Sequence, residues 1–209
     1  MEKFSRRDVL GVAAGAVAGA VAASEAGEPR GSAAEGRSTS GATVNQTESV
    51  YKFALGSAPA RRYGGSSIRE HKLHNFPMSA SMSAGLIRLA AGDFREPHWH
   101  PNSDEWLFVI SGKIRMTIVD PKGEASRFDC GSEDVAFTPQ GFGHYVENIG
   151  TDDANVMVVH NHADFTTIEL SEWVAGGSTS VFASTLNMPV EAFSGTPTER
   201  VFIGTTRRK

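Results

Sequence analysis

The sequence predicts an all-β fold, a sandwich or barrel built from short strands, and three observations support this. Short runs rich in β-branched and aromatic residues recur along the chain after about residue 50. Turn-forming glycine, proline, asparagine and aspartate separate these runs at fairly regular intervals. The roughly 160 residues that carry this pattern are enough for one domain.

The first 49 residues have a different character from the rest. Residues 1–23 combine a charged start, including Arg6-Arg7, with an apolar run of small residues, which is typical of a twin-arginine export signal. Residues 24–49 contain almost no large apolar side chain and predict a disordered linker. We therefore expect a single domain over residues 50–209 in a periplasmic or secreted protein that keeps no membrane anchor after signal cleavage.

Nine strands are predicted from the alternating runs and their turns. They are Tyr51–Leu55, Gly85–Ala90, Arg95–His100, Glu105–Ser111, Lys113–Val119, Ser126–Asp129, Asp134–Thr138, Gly143–Asn148 and Asn155–His160. Gly112 is expected to form a tight turn between two of them, and Pro121-Lys122-Gly123 a second turn.

After His160 the pattern changes to one that predicts short helices. Leu170–Val174 is expected to form a helix with Ser171 as its cap. Val181–Leu186 and Val190–Phe193 are expected to form further helical turns. Trp173 is expected to anchor this segment by packing.

Three histidines and one glutamate form a candidate set of metal ligands. His98 and His100 are two residues apart, so on a strand both side chains point to the same face. Glu105 begins the next predicted strand, and His144 lies on a later one. Mixed nitrogen and oxygen ligation suits Mn, Fe, Ni or Zn. The alternative is that these histidines are satisfied core residues.

Two motifs resemble those of the cupin superfamily. The pattern G-x5-H-x-H-x4-E-x6-G is matched by Gly92, His98, His100, Glu105 and Gly112, and the core P-x-G-x2-H-x3-N by Pro139, Gly141, His144 and Asn148. The resemblance implies a double-stranded β-helix, the jelly-roll barrel, with short C-terminal helices. One departure is Glu133, which stands where the family usually has glycine; with Gly131 two residues earlier, we expect a shifted turn.

Within the cupins, the segments FREPHWHPNSDEW, KIRMTIVD and GHYVENIG resemble the oxalate decarboxylase group, especially its C-terminal cupin half. The resemblance implies that Arg95, three residues before the first ligand histidine, grips the substrate carboxylate. Strand alternation puts Arg95 on the opposite face from His98 unless the backbone bends, and Pro97 makes a bend plausible. A surface ion pair with Asp93 or Glu96 is the alternative.

Decarboxylation also needs a general acid to protonate the carbon that loses CO2. In that group a glutamate on a mobile lid supplies it, and the corresponding position here falls on Asp164. A second position used by the group falls on Val158, which cannot donate a proton. His160 and His162 are alternative proton carriers.

The resemblance favours Mn2+ as the cofactor, with Fe2+, Ni2+ and Zn2+ as alternatives and dioxygen as a candidate co-catalyst. The leading hypothesis is decarboxylation of oxalate or a related small dicarboxylate to formate and CO2. The alternatives are a metal-dependent oxalate oxidase or other dioxygenase, and a non-catalytic carboxylate- or metal-binding protein. Because the related decarboxylases carry two cupin halves, we expect a homodimer or hexamer. The net charge of −4 gives no support to a nucleic-acid partner.

Overall fold

The computed structural model describes residues 49–206, which fold into twelve strands and a few short helices. In chain order the strands are β1 Arg61–Tyr63, β2 Ser66–His71, β3 Ser83–Leu89, β4 Asp93–Trp99, β5 Glu105–Ser111, β6 Ile114–Val119, β7 Ala125–Cys130, β8 Val135–Thr138, β9 Gly143–Asn148, β10 Ala154–His160, β11 Ile168–Glu169 and β12 Ile203–Thr205. The helices are α1 Leu170–Gly176 and α2 Thr179–Thr185, with 3-10 turns at Leu55–Ser57 and Val190–Phe193. Over residues 49–206, no helix has the length and apolar character needed to cross a membrane.

The strands form two antiparallel sheets that enclose one core, the jelly-roll arrangement. One sheet has the order β1-β2-β3-β10-β5-β8, and the other has the order β11-β4-β9-β6-β7 with β12 also paired to β4. The core takes side chains from both sheets, including Leu89, Leu107 and Val156 from the first and Met116 and Val146 from the second. Burying apolar side chains between the sheets is the main source of stability of such a fold.

Polar residues replace apolar ones at one end of this core. The inward positions of β5 are Glu105, Leu107 and Val109, and those of β10 end at His160. Glu105 pairs directly with His160 in the first sheet, and His98 pairs with His144 in the second. Strand register therefore gathers three histidines and a glutamate at the same end of the barrel.

The predicted fold class is confirmed, and most predicted strands are present within a residue or two of the expected bounds. Tyr51–Leu55 is wrong as a strand, because this segment forms turns and the start of a 3-10 helix. β1 and β2 were missed because their charged residues obscure the alternation. Their hairpin could have been found from the Gly64-Gly65 pair that joins them. The short β11 and β12 were also missed.

Two local expectations are wrong. Ser171 does not cap α1: the helix begins after Glu169, and the Ser171 hydroxyl instead donates to a Glu96 carboxylate oxygen at 3.0 Å. The turn before β8 is not shifted to Gly131, because Glu133 itself adopts a left-handed φ of 71°. Glutamate takes this conformation less readily than glycine, but this exposed turn accepts it. The predicted export signal, residues 1–23, and all but the last residue of the predicted linker, residues 24–49, lie outside the described residues.

Gly112 offers a direct test of how closely the turn between β5 and β6 packs against the start of β10. Its φ is 90°, and a Cβ atom there would lie 2.7 Å from the Ala154 Cα. We expect Gly112→Ala to lower the free energy of unfolding by more than about 2 kcal/mol, because both backbone strain and a clash with backbone act. Gly123 is the matched control, since its φ is 83° but a Cβ would meet nothing within 4 Å. Denaturant unfolding should show a loss of only about 1 kcal/mol for Gly123→Ala; equal losses would contradict this account.

Candidate metal centre

The four predicted ligands converge in one buried cluster. His98, His100, Glu105 and His144 are each at most 5% exposed, and their candidate ligand atoms all lie within 4.8 Å of one another. The Glu105 Oε2 atom is 3.1 Å from His100 Nε2 and 3.6 Å from His144 Nε2. The sequence placed these residues on three strands, and the structure brings them together as expected.

Backbone carbonyls fix the orientation of each ligand imidazole. The Nδ1 atoms of His98, His100 and His144 lie 2.7, 3.0 and 3.1 Å from the carbonyl oxygens of Glu96, Thr166 and Phe142. A carbonyl oxygen only accepts, so each Nδ1 carries a hydrogen, and in a neutral ring Nε2 is then the nitrogen whose lone pair can bind a metal. This is the tautomer and orientation that metal-binding histidines need.

The protonation states also fit a cation. Burial lowers the pKa of His98 well below its usual value, and the charge of Arg95 adds to this. Burial by itself would raise the pKa of Glu105, but His144 and His100 hold it well below its usual value. Neutral imidazoles beside an ionised carboxylate are the forms that bind metal.

One buried atom has no partner without a metal. The Nε2 atom of His144 is buried and makes no hydrogen bond, although buried polar atoms in proteins are nearly always paired. A cation at the centre of the cluster would satisfy it. The residues present therefore fit a metal ion held by three imidazole nitrogens and one carboxylate.

Arg95 lies in the same cavity as the ligands. The pairing of β4 with β9 shifts register between Arg95 and His98, so the bend considered for Pro97 is present and both side chains are buried. Arg95 and His98 line a small internal cavity of about 30 Å3. Arg95 is 4% exposed and pairs with neither Asp93 nor Glu96, so the surface ion pair is excluded.

The partners of Arg95 were not anticipated from the sequence. Its Nη2 donates to Glu169 Oε1 at 2.6 Å, and its Nη1 donates to the Phe202 carbonyl at 3.0 Å. Glu169 is fully buried and also contacts Arg200. These partners are 74 and 107 residues away along the chain, and no local sequence pattern predicts them.

The three candidate proton carriers lie in different places. Asp164 is outside the cavity, with a side chain that is 68% exposed and 3.9 Å from Lys72 Nζ. His162 is also exposed. His160 lines the cavity, with Nε2 3.8 Å from Glu105 Oε2 and its ring stacked on Phe165. Val158 lines the cavity as well, and Glu70 is a carboxylate at its edge that sequence reasoning missed.

His160 predicts a specific pH dependence of stability for the metal-free protein. Burial lowers the pKa of His160 to about 4, against an ordinary value near 6.5. Below pH 6.5 the unfolded chain takes up a proton that the folded chain refuses until about pH 4, so the free energy of unfolding falls across this window. We expect this residue to contribute about 3 kcal/mol to that fall.

Urea unfolding of chelator-treated protein between pH 7 and pH 4 measures the effect. His160→Gln should make the fall shallower, whereas His74→Gln, at an exposed site, should leave it unchanged. If His160→Gln has the same pH dependence as the unaltered chain, His160 is not buried in its neutral form.

Comparisons with known proteins agree with the fold. The sequence model of the Cupin family matches residues 54–191. A probable oxalate decarboxylase of Arthroderma benhamiae is 32% identical over 158 residues, which cover 74% of this chain and 39% of that protein. The oxalate decarboxylase OxdC of Bacillus subtilis is 38% identical over 101 residues, covering 48% of this chain and 26% of that protein.

Structural similarity extends the match. A structure of Bacillus subtilis oxalate decarboxylase, determined in work on its Mn(II) centres, superposes with a TM-score of 0.70 at 27% identity. The aligned part covers 73% of this chain and 41% of that one. The chain spans about 40% of the length of its curated fungal relative. The chain therefore belongs to the cupin family, in the group that contains the oxalate decarboxylases.

Proposed function

We propose that this protein is a Mn-dependent enzyme that decarboxylates oxalate or a closely related small dicarboxylate to formate and CO2. The observation that carries the proposal is that a buried arginine lines one cavity together with His98, His100 and Glu105, three members of the four-ligand metal cluster. Manganese is proposed because the similar Bacillus subtilis protein is described with Mn(II) centres. Fe2+, Ni2+ and Zn2+ fit the same ligands, since the choice between them is not set by ligand type alone.

Each residue has a defined part in this proposal. His98, His100, Glu105 and His144 would hold the ion, which when bound acts as a Lewis acid toward a carboxylate oxygen. Arg95 would orient the substrate through its guanidinium, which can donate paired hydrogen bonds to a carboxylate. Glu169 holds that guanidinium in place from the side. The apolar side chains of Ile68, Ile87, Val146 and Val158 keep the cavity dry around the reacting group.

Position along the chain does not distinguish the candidate proton donors, but their surroundings do. Besides the ligands His98, His100 and Glu105, the titratable side chains among the described residues that line the cavity are Glu70, Arg95 and His160. Glu70 is engaged by Arg61. We therefore propose that His160 carries the proton in this conformation, in acidic solution where a group with a pKa of about 4 is protonated. Asp164 serves only if the segment around it moves inward.

Oxalate oxidation is the second candidate, and the exposed position of Asp164 favours it. Without a carboxylic acid at the reacting carbon, the substrate would be oxidised by dioxygen to CO2 and hydrogen peroxide instead of being protonated to formate. A non-catalytic protein that binds a carboxylate is the third candidate, since the same cavity could hold such a ligand without turnover.

Product analysis after incubation of the manganese-loaded protein with oxalate separates the three functions. We expect formate as the main product, with little peroxide. Arg95→Lys should lower kcat/KM by at least about 100-fold, because lysine cannot reproduce the paired hydrogen bonds of the guanidinium. Peroxide in place of formate would establish the oxidase, and the absence of both would leave only binding.

Two variants assign the proton donor in the same assay. His160→Gln should reduce formate and raise the share of peroxide, because decarboxylation needs a proton delivered to carbon, whereas oxidation places its protons on the oxygen atoms of the reduced dioxygen. Asp164→Asn should leave the ratio unchanged if Asp164 stays at the surface. If Asp164→Asn lowers the ratio of formate to peroxide and His160→Gln does not, Asp164 is the proton donor, and its segment must close over the cavity.

We also propose that the protein is a homodimer or hexamer, supported by an apolar outer face on the first sheet. The outward residues of β5 and β8 include Trp106 and Phe137, which pair in register and are 39% and 53% exposed. Large apolar side chains clustered on a surface are typical of an interface. Export by the twin-arginine route remains a proposal based on residues 1–23, which cell fractionation can test.

Light scattering tests the assembly. We expect a mass of two or six chains for the unaltered protein and a shift to one chain for the double variant Trp106→Glu, Phe137→Glu. Val181→Glu, on the exposed side of α2, is the control and should leave the mass unchanged. A monomeric unaltered protein would refute self-assembly.

A further inference from the structure

A second, larger cavity adjoins the one that holds the metal cluster. The inner cavity has about 30 Å3 of free space, enough for one or two water molecules. The outer cavity measures about 420 Å3, within the range typical of small-molecule sites. Five residues line both of them: Ile68, Glu70, Phe165, Thr167 and Phe202. The inner space therefore accepts only a small end group, while the outer space can hold the rest of a larger molecule.

Phe202 joins the two cavities and is surrounded by cations. The guanidinium of Arg95 lies 3.8 Å from the centre of its ring, that of Arg61 at 4.8 Å and that of Arg200 at 5.8 Å. Arg95 belongs to the inner cavity, and Arg61 and Arg200 line the outer one. Guanidinium groups, each paired with a glutamate, thus line both cavities around this ring.

The backbone of Phe202 is strained in this position. Its φ is 59°, a value that bulky residues rarely adopt and that typically persists only where surrounding contacts enforce it. Its carbonyl accepts from Arg95 Nη1, and its amide donates to the buried carboxylate of Glu96. These contacts hold the ring at the junction of the two cavities.

Lys72 adds a further cation to the lining of the outer cavity. Its Nζ lies 4.1 Å above the Phe165 ring and donates to the Phe165 carbonyl at 3.0 Å. Phe165 in turn stacks on His160 in the inner cavity.

The cations of the outer cavity differ in how firmly they are paired. Arg61 pairs with Glu70, and Arg200 pairs with Glu169 and Glu172. The carboxylate beside Lys72 is that of Asp164, which lies 3.9 Å away on a side chain that is 68% exposed. An exposed pair of this kind contributes little, so Lys72 is the cation most available to a carboxylate of a ligand.

We propose that the outer cavity is a second carboxylate-binding site, so that the preferred substrate is a dicarboxylic acid with a longer carbon chain than oxalate. This rests on the proposed function of the inner site. One carboxylate lies against Arg95 and the metal cluster, and the other lies among Lys72, Arg61 and Arg200. The aromatic rings of Phe165 and Phe202 contact the carbon chain between them.

Binding of a series of dicarboxylates to the manganese-loaded protein tests this, with oxalate, malonate, succinate and glutarate measured by calorimetry. We expect at least one longer acid to bind about tenfold more tightly than oxalate, because it gains contacts with charged groups that oxalate cannot reach. Lys72→Gln and Arg61→Gln should each lower the affinity for that acid by about five- to tenfold and change the affinity for oxalate by less than about twofold. Arg62→Gln is the matched control, since Arg62 is the exposed neighbour of Arg61 on β1 and does not line the cavity.

The outcomes separate this inference from the proposed function. If oxalate binds and no longer acid binds more tightly, the outer site is refuted while the inner one stands. If Lys72→Gln lowers the affinity for all the acids equally, the outer site is also refuted, because the lysine would then act on the inner site. If no dicarboxylate binds at all, the proposed function fails together with the inference.

Discussion

Three hydrogen bonds from imidazole Nδ1 atoms to backbone carbonyls orient the candidate metal ligands, and the rest of the site depends on this orientation. They turn the Nε2 atoms of His98, His100 and His144 toward the Glu105 carboxylate in the buried interior of the barrel. A buried polar atom left without a partner costs about 1–3 kcal/mol, and His144 Nε2 is such an atom. The apolar core at the other end of the barrel offsets this cost, and a bound cation would remove it. The fold is thus organised to hold a ligand set that is unfavourable when empty of metal.

The charges around the cluster extend this organisation toward a substrate. Arg95 is buried, yet it is paired with Glu169, which is in turn paired with Arg200 nearer the surface. Removing one partner from a buried ion pair is strongly destabilising, so this chain of charges keeps the guanidinium both ionised and fixed. The strained Phe202 places a ring against it. The proposed recognition of an anion would therefore depend on residues from β4, β11 and the segment that precedes β12, and not on the cupin motifs alone.

The features that local pattern encodes were predictable from the sequence. The spacing of His98 and His100 and the turn glycines predicted the ligand set, because strand periodicity decides which side chains share a face. The partners of Arg95 were not predictable, since Glu169 and Phe202 approach it only through long-range pairing of β11 and β12 with β4. Glu133 was mispredicted for a different reason. The turn before β8 has its left-handed residue at Glu133, although glutamate favours another conformation, because contacts with neighbouring residues determine the backbone there. Asp164 was placed by counting along the chain, and counting does not say whether a loop residue faces inward or outward.

The metal content of the purified protein, measured by elemental mass spectrometry after dialysis against Mn2+, tests the central claim most directly. The account predicts one ion per chain, lost in His144→Ala and in Glu105→Gln. His160→Gln should retain the ion, because His160 lies in the cavity but outside the ligand set. A chain that binds no transition metal under these conditions, or a His144→Ala variant that keeps a full complement, would contradict the account.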